Sequence, residues 1–207
     1  MIASNPSTFA RGPRAQAILA AVAIASAAFI AGCRSAPTRI FTLEPIATTA
    51  SQVVYSGPSL RIDVVHVPPS LDRIEILTEI APGELKINDL AHWAAPLGQL
   101  ARGAETADLM ARLPTGKVTF PDLAKSAGQV GVNIDILSFS ANARGARLEA
   151  SWVVTSDDPA AVSPTHAASL ADDRPAADAA ATARALRALL ALLADRISRE
   201  LGLAAVH

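Results

Sequence analysis

The sequence predicts an α/β fold: a layered mixed β-sheet flanked by helices, with a long C-terminal helix. Three observations carry this. Stretches in which apolar and polar residues alternate occur at residues 59–67 and again at 129–136. A segment of helical spacing lies between them, and a leucine stripe of helical period closes the chain. Strands on both sides of a helix, with another helix at the end, bury their apolar faces most simply as helices laid on a sheet.

Residues 1–32 stand apart from that fold. Arg11 and Arg14 are the only charged side chains ahead of an almost wholly apolar run, residues 15–29, broken by Gln16 and Ser26. A basic stretch followed by such a run reads as a signal peptide. A spanning helix needs roughly 20 predominantly apolar residues, so this shorter run, followed by small Ala31 and Gly32, fits export with cleavage better than a permanent span.

Ile30-Ala31-Gly32-Cys33 resembles a bacterial lipobox, with a branched aliphatic residue three places before the cysteine and two small residues that fit a peptidase cleft. The resemblance implies cleavage between Gly32 and Cys33, a diacylglycerol on the sulfur and acylation of the new amino group. One acyl chain binds a membrane only marginally, whereas two or more, at roughly 0.8 kcal/mol per buried CH₂, anchor stably. A lone cysteine in an exported chain can also be a free thiol or an intermolecular disulfide partner. The basic segment, the apolar run and all four box positions agree on lipidation. The next residue is Arg34, where an aspartate is associated with inner-membrane retention, so that sorting rule directs the protein to the outer membrane, facing the periplasm. Residues 33–39 are then a lipidated tether and residues 40–207 the domain.

Cys33 is the only cysteine. The domain is therefore expected to hold neither a disulfide nor a thiolate metal site, and its stability must come from its core. Removing residues 1–32 takes away two of the 18 basic residues and none of the 19 acidic ones, which leaves a formal charge of −3. Nothing in that balance suggests a nucleic-acid partner.

Along the domain, "IFTL" at residues 40–43 is a short strand candidate. In residues 59–67, Leu60, Ile62 and Val64 share a face opposite Arg61 and Asp63, and Pro68 and Pro69 stop the strand because neither can donate to a ladder. Residues 73–80 alternate through Ile74, Ile76 and Ile80, and "GELKI" at 83–87 returns after Pro82-Gly83 as a hairpin. A helix is expected from near Trp93 to near Leu113, with Pro96 in its first turn and Gly98 and Gly103 weakening it. "KVTF" at 117–120 is another short strand.

The clearest strand signal is "QVGVNIDI", where Val130, Val132, Ile134 and Ile136 alternate with polar or small residues. The apolar phase then shifts to Leu137 and Phe139, which suggests a bulge. "ANARG" turns the chain and "RLEASWVV" returns in phase, an antiparallel hairpin. Residues 156–175, rich in Asp, Ala, Ser and Pro, are expected to form a mobile loop. The terminal helix spans about residues 176–201; Leu186, Leu189, Leu190, Leu193, Ile197 and Leu201 form its apolar stripe, and Arg184, Arg187, Asp195 and Arg199 mark its other faces.

Catalytic patterns are scarce. The four histidines, His66, His92, His166 and His207, have no metal-ligand spacing, and there is no G-x-S-x-G elbow, P-loop or dinucleotide fingerprint. No metal and no cofactor are expected, and the chain is not expected to be an enzyme.

The order of elements resembles the ABC-type transport auxiliary lipoprotein family. The resemblance rests on "SLRIDVVHVPPSLDRIEI", "INDLAHWAAPL", "VNIDILSFSANARGARLEASWVV" and the Ala/Leu-rich terminal helix, and covers about residues 41–201. It implies an anticodon-binding-domain-like α/β fold. It also implies an outer-membrane lipoprotein that works with a mammalian-cell-entry (MCE) substrate-binding protein, an ABC permease and an ATPase, in systems that move phospholipids or other hydrophobic molecules between membranes. A homo-oligomer would suit a multimeric channel. Its marks here are the step Leu71, Asp72, Arg73 and the turn from Trp93 to Pro96 and Leu97, which either contact a partner or serve the fold. Tryptophan beside proline commonly fills a core corner, the Asp-Arg pair can be a weak surface ion pair, and Trp152 is in phase with core positions. The aromatic residue often found before the Leu-Asp-Arg step is replaced by Ser70. The competing readings are a structural envelope lipoprotein that binds peptidoglycan or stabilises an outer-membrane complex, and a periplasmic hydrolase with an unrecognised site.

Overall fold

The computed structural model describes residues 36–44, 52–158 and 163–204. Cys33, Gly32, Arg34 and His207 lie outside the described residues. From Thr38 onward the chain forms one compact unit.

The α/β class is as expected, with the strands divided between two sheets. Strands β1 (Arg39–Phe41), β4 (Glu84–Trp93) and β3 (Glu75–Ala81) make one, in that order. The other runs β5 (Val118–Thr119), β2 (Leu60–His66), β6 (Val130–Asn142), β7 (Gly145–Thr155), β8 (Thr165–Asp172). Each sheet mixes parallel and antiparallel pairs. Helix α1 (Leu97–Arg112) packs on β2 and β5, and the long α2 (Ala179–Ala204) packs on α1, β3, β6, β7 and β8.

The leucine stripe explains the position of α2. Leu186, Leu189, Leu190, Leu193 and Ile197 are almost wholly buried, against inward residues such as Ile134, Leu148 and Trp152. Each large aliphatic side chain taken fully from water contributes about 1.5–3 kcal/mol, so the stripe fixes which helix face meets the sheet. The expected bulge is also present. Pairing steps from Ile136↔Ala150 to Ser138↔Glu149, which leaves Leu137 without a partner and 59% exposed while Phe139 returns inward.

Four expectations are corrected. Trp93 ends a strand instead of starting a helix: β4 continues past Ile87 because β3 pairs with one of its edges and β1 with the other, through Ile40↔His92 and Phe41↔Trp93. Helix α1 starts one residue after Pro96, whose carbonyl accepts from the amides of Gln99 and Leu100 at 3.0 and 3.1 Å. Part of the expected loop at 156–175 is β8, an edge strand of mostly small residues whose ladder to β7 supplies what its side chains do not signal. Arg187, placed by the helical pattern on an outer face, is buried. Gly98 has a positional reason as well: a Cβ there would sit 2.9 Å from the carbonyl oxygen of Val65, so glycine lets the first turn of α1 lie against β2.

Candidate functional site

The motif residues occupy one corner but different environments. The chain turns after β2 through amides of Leu71 and Asp72 that both donate to the carbonyl of Pro68, at 2.8 and 3.0 Å. Asp72 and Arg73 are exposed, Leu71 is half-buried against the core, and Arg73 pairs with Glu75 at 3.2 Å. Trp93 is buried, with its backbone amide donating to Ile74 at 2.6 Å. Pro96 is exposed beside it, and Leu97 closes the corner from within. Leu71, Trp93 and Leu97 line a crevice of only about 20 Å³, so the corner is filled by its own side chains. Trp93 and Trp152 are buried in the core, and Asp72, Arg73 and Pro96 are exposed.

A buried ionic network joins the two helices. Asp108 on α1 accepts from Arg187 on α2, and Arg112 on α1 reaches Asp195 and the carbonyls of Asp108 and Ala191. Within this group Glu105 is fully buried and its carboxylate oxygens have no hydrogen-bond partner. Burial, reinforced by the negative charge of Asp108, raises its pKa well above the ordinary carboxylate value, against the opposing effect of Arg187 and Arg112. The network sits between the packed helices α1 and α2.

A second constellation, undetected in the sequence, lies at the C-terminal end of α2. Tyr55, Gly57 and Pro58 from the segment before β2, Val130 of β6, Trp152 and Val154 of β7, Ser163, Pro164 and His166, and Glu200 and Leu201 line a cleft of about 290 Å³. The sheet positions its floor: Trp152 and Val154 share the inner face of β7, and His166 pairs with Trp152 across the β7–β8 ladder. The two rings stack with centroids 5.5 Å apart and planes 13° from parallel. The Nδ1 of His166 pairs with Glu200, which also accepts from Arg196 Nε at 2.7 Å. The Tyr55 hydroxyl donates to the carbonyl of Pro58 at 2.8 Å, and burial pushes its pKa up. Lys117 Nζ donates to the carbonyl of Gly57 at 2.6 Å and lies 5.7 Å from the Tyr55 ring centroid. These residues come from five separate elements, so no local motif could announce them.

Among the described residues no three His, Cys, Asp or Glu side chains are grouped as metal ligands. No described helix is long and apolar enough to cross a membrane. Large apolar side chains are nevertheless exposed along the β3–β4 hairpin and just before it: Ile74, Ile80, Leu85, Ile87 and Leu90, each between 42% and 58%.

A family model described as "ABC-type transport auxiliary lipoprotein component" matches residues 41–198. Among solved structures, a crystal structure of an uncharacterized protein is similar with a TM-score of 0.64 at 15% identity, covering 80% of this chain and 99% of the other. Protein XCC0632 from Xanthomonas campestris, a DUF330 family protein, is similar with a TM-score of 0.60 at 20% identity, covering 79% and 95%. At those identities the likeness establishes the fold. No curated protein matches the sequence.

Proposed function

Since the chain belongs to the ABC-type transport auxiliary lipoprotein family, we propose that it is the outer-membrane-anchored, periplasm-facing component of an MCE-type system. Its partners are an MCE substrate-binding protein and the ABC permease and ATPase, and the system moves phospholipids or other hydrophobic molecules between membranes. The family match over residues 41–198 is the observation that carries this reading. The lipobox at Ile30 to Cys33 and the residue Arg34 support the anchor and its destination. The permease and ATPase supply energy and translocation, and this chain supplies a tethered docking surface. The exposed apolar side chains Leu85 and Ile87, which share one face of β4, support that role as candidates for a partner contact.

The test is purification of the native protein from membranes of its own cells. Recovery of an MCE protein with it is the expected result. Loss of the gene should also change lipid exchange and envelope permeability; unchanged permeability together with no MCE protein in the eluate would reject the role. Retention on purified cell wall, without transport partners, would instead identify a structural envelope lipoprotein.

A further inference from the structure

We propose that a groove between β1 and the first turns of α2 seats the phosphate of an anionic lipid head group at the surface of the membrane that holds the anchor. The groove has a volume of about 460 Å³, and Arg39, Arg174, Arg184 and Arg187 line it; Glu44 is the one carboxylate in its lining among the described residues. Arg39 and Phe41 share a face of β1, and the guanidinium lies 5.0 Å from the ring centroid. On α2, Ala180 and Ala183 recur at helical spacing with Arg184, Arg187 and Ala188. The alanines keep the floor low between the charged side chains.

Two of the four arginines are already engaged: Arg187 by Asp108 and the carbonyl of Glu44, and Arg174 by Asp172. Arg39 and Arg184 are exposed, and neither has a carboxylate partner among the described residues. An exposed guanidinium presents a planar fork of N–H donors that matches phosphate oxygens in pairs. Beyond residue 32 the chain carries a formal charge of −3, so as a whole it is repelled by an anionic surface. Attraction must then come from a local patch, and a local patch orients the domain. The place of the groove in the chain selects a membrane phosphate. Arg39 is six residues beyond Cys33, and an extended chain spans at most about 3.3–3.6 Å per residue, so an anchored Cys33 keeps Arg39 within roughly 20 Å of its membrane. That location rests on the anchor reading. The contact itself goes beyond the transport reading, because it concerns which face the domain turns to its membrane and not what the system moves.

The test uses residues 34–207, which hold the compact unit from Thr38 with its core and lack the cysteine, so lipidation plays no part in the readout. Flotation is done at about 0.01 M salt, where the Debye length is roughly 30 Å. Vesicles of equal phosphatidylglycerol and phosphatidylcholine should carry the chain with them, and vesicles of phosphatidylcholine alone should leave it behind. Arg39→Gln and Arg184→Gln should each lower partitioning about fivefold with unchanged melting temperatures, and Glu44→Gln should raise it. Arg199→Gln, about 22 Å farther along the same helix, should leave it unchanged. Chemical-shift titration with inorganic phosphate distinguishes the sources: if it saturates the amides of Ala183 and Arg184 while no vesicle binds, the groove takes free phosphate and the membrane assignment falls. Equal partitioning onto both vesicles, or an equal loss in the Arg199 variant, overturns the groove as the contact. A lipidated Cys33 in the native protein with no vesicle binding here would remove the head-group contact and leave the anchor standing; vesicle binding with an unmodified Cys33 would do the reverse.

Discussion

Arg187 of α2 holds Asp108 of α1 by both arms of its guanidinium, Nη1 to Oδ2 and Nη2 to Oδ1, each at 2.7 Å, with both side chains almost sealed from water. Its Nε donates to the carbonyl of Glu44 at 2.6 Å, so one side chain ties both helices to the segment after β1. A charge buried this way is costly to strand. Arg187→Ala should destabilise the domain by about 3–5 kcal/mol, because Asp108 would lose its principal partner. Urea denaturation of the two single variants and the double should show coupling: Asp108→Ala should cost markedly less in the Arg187→Ala background than alone.

Glu105 predicts a pH dependence of the opposite sense to that of a salt-bridged carboxylate. Its folded pKa is raised, chiefly by burial. The stability associated with the protonated form is therefore fully present below the unfolded carboxylate value, about 4.3. That stability is lost as pH rises toward the folded pKa, at a slope of up to about 1.4 kcal/mol per pH unit. Glu105→Gln keeps the shape and removes the titration. Denaturation midpoints of the two proteins should converge near pH 4 and separate toward pH 8, with the glutamine variant the more stable; a gap that does not change with pH would refute the assignment.

Trp93 and Arg73 should respond very differently, although both belong to the same corner. Trp93→Ala removes a buried ring and should cost about 3–5 kcal/mol, read from thermal or urea unfolding. Arg73→Ala breaks an exposed contact with Glu75 and should leave the midpoint nearly unchanged. If Arg73→Ala instead lowers recovery of a transport partner, the exposed side of the step is a contact.

The hairpin offers a direct probe of docking. Ile87→Asp and Leu90→Asp place charge on side chains that are already 42% and 44% exposed, so melting temperature should change little. Recovery of the MCE protein from membranes should fall sharply if the proposed surface is the one used. Undiminished recovery in the double variant would move the docking surface elsewhere.

Mass spectrometry of the mature amino terminus tests the anchor. A triacylated Cys33 at the first position is expected, and Cys33→Ser should leave the chain unlipidated with its signal uncut. An unmodified thiol in the native protein would remove the tether.

Sequence alone determined the features whose information is local. Period-two alternation identified β6 and β7, because each has one face on the core, and β2 as far as Ile62, after which a register shift puts Val65 in the core in place of the expected Val64; the phase change after Ile136 identified the bulge, and the leucine stripe gave α2 its buried face. The family resemblance carried by the ordered segments agrees with the match over residues 41–198. Only the tertiary structure decided the rest. Edge strand β8, with small residues and partial burial, exists because β7 supplies its hydrogen bonds. Trp93 closes a strand because β1 and β3 meet β4 from opposite edges. Arg187 follows the helical pattern of a surface residue, yet Asp108, 79 positions away, takes it into the interior. The Trp152–His166–Glu200 cleft is the same case: alternation and spacing report which way a side chain faces, whereas a site assembled from distant elements depends on which faces the fold brings together.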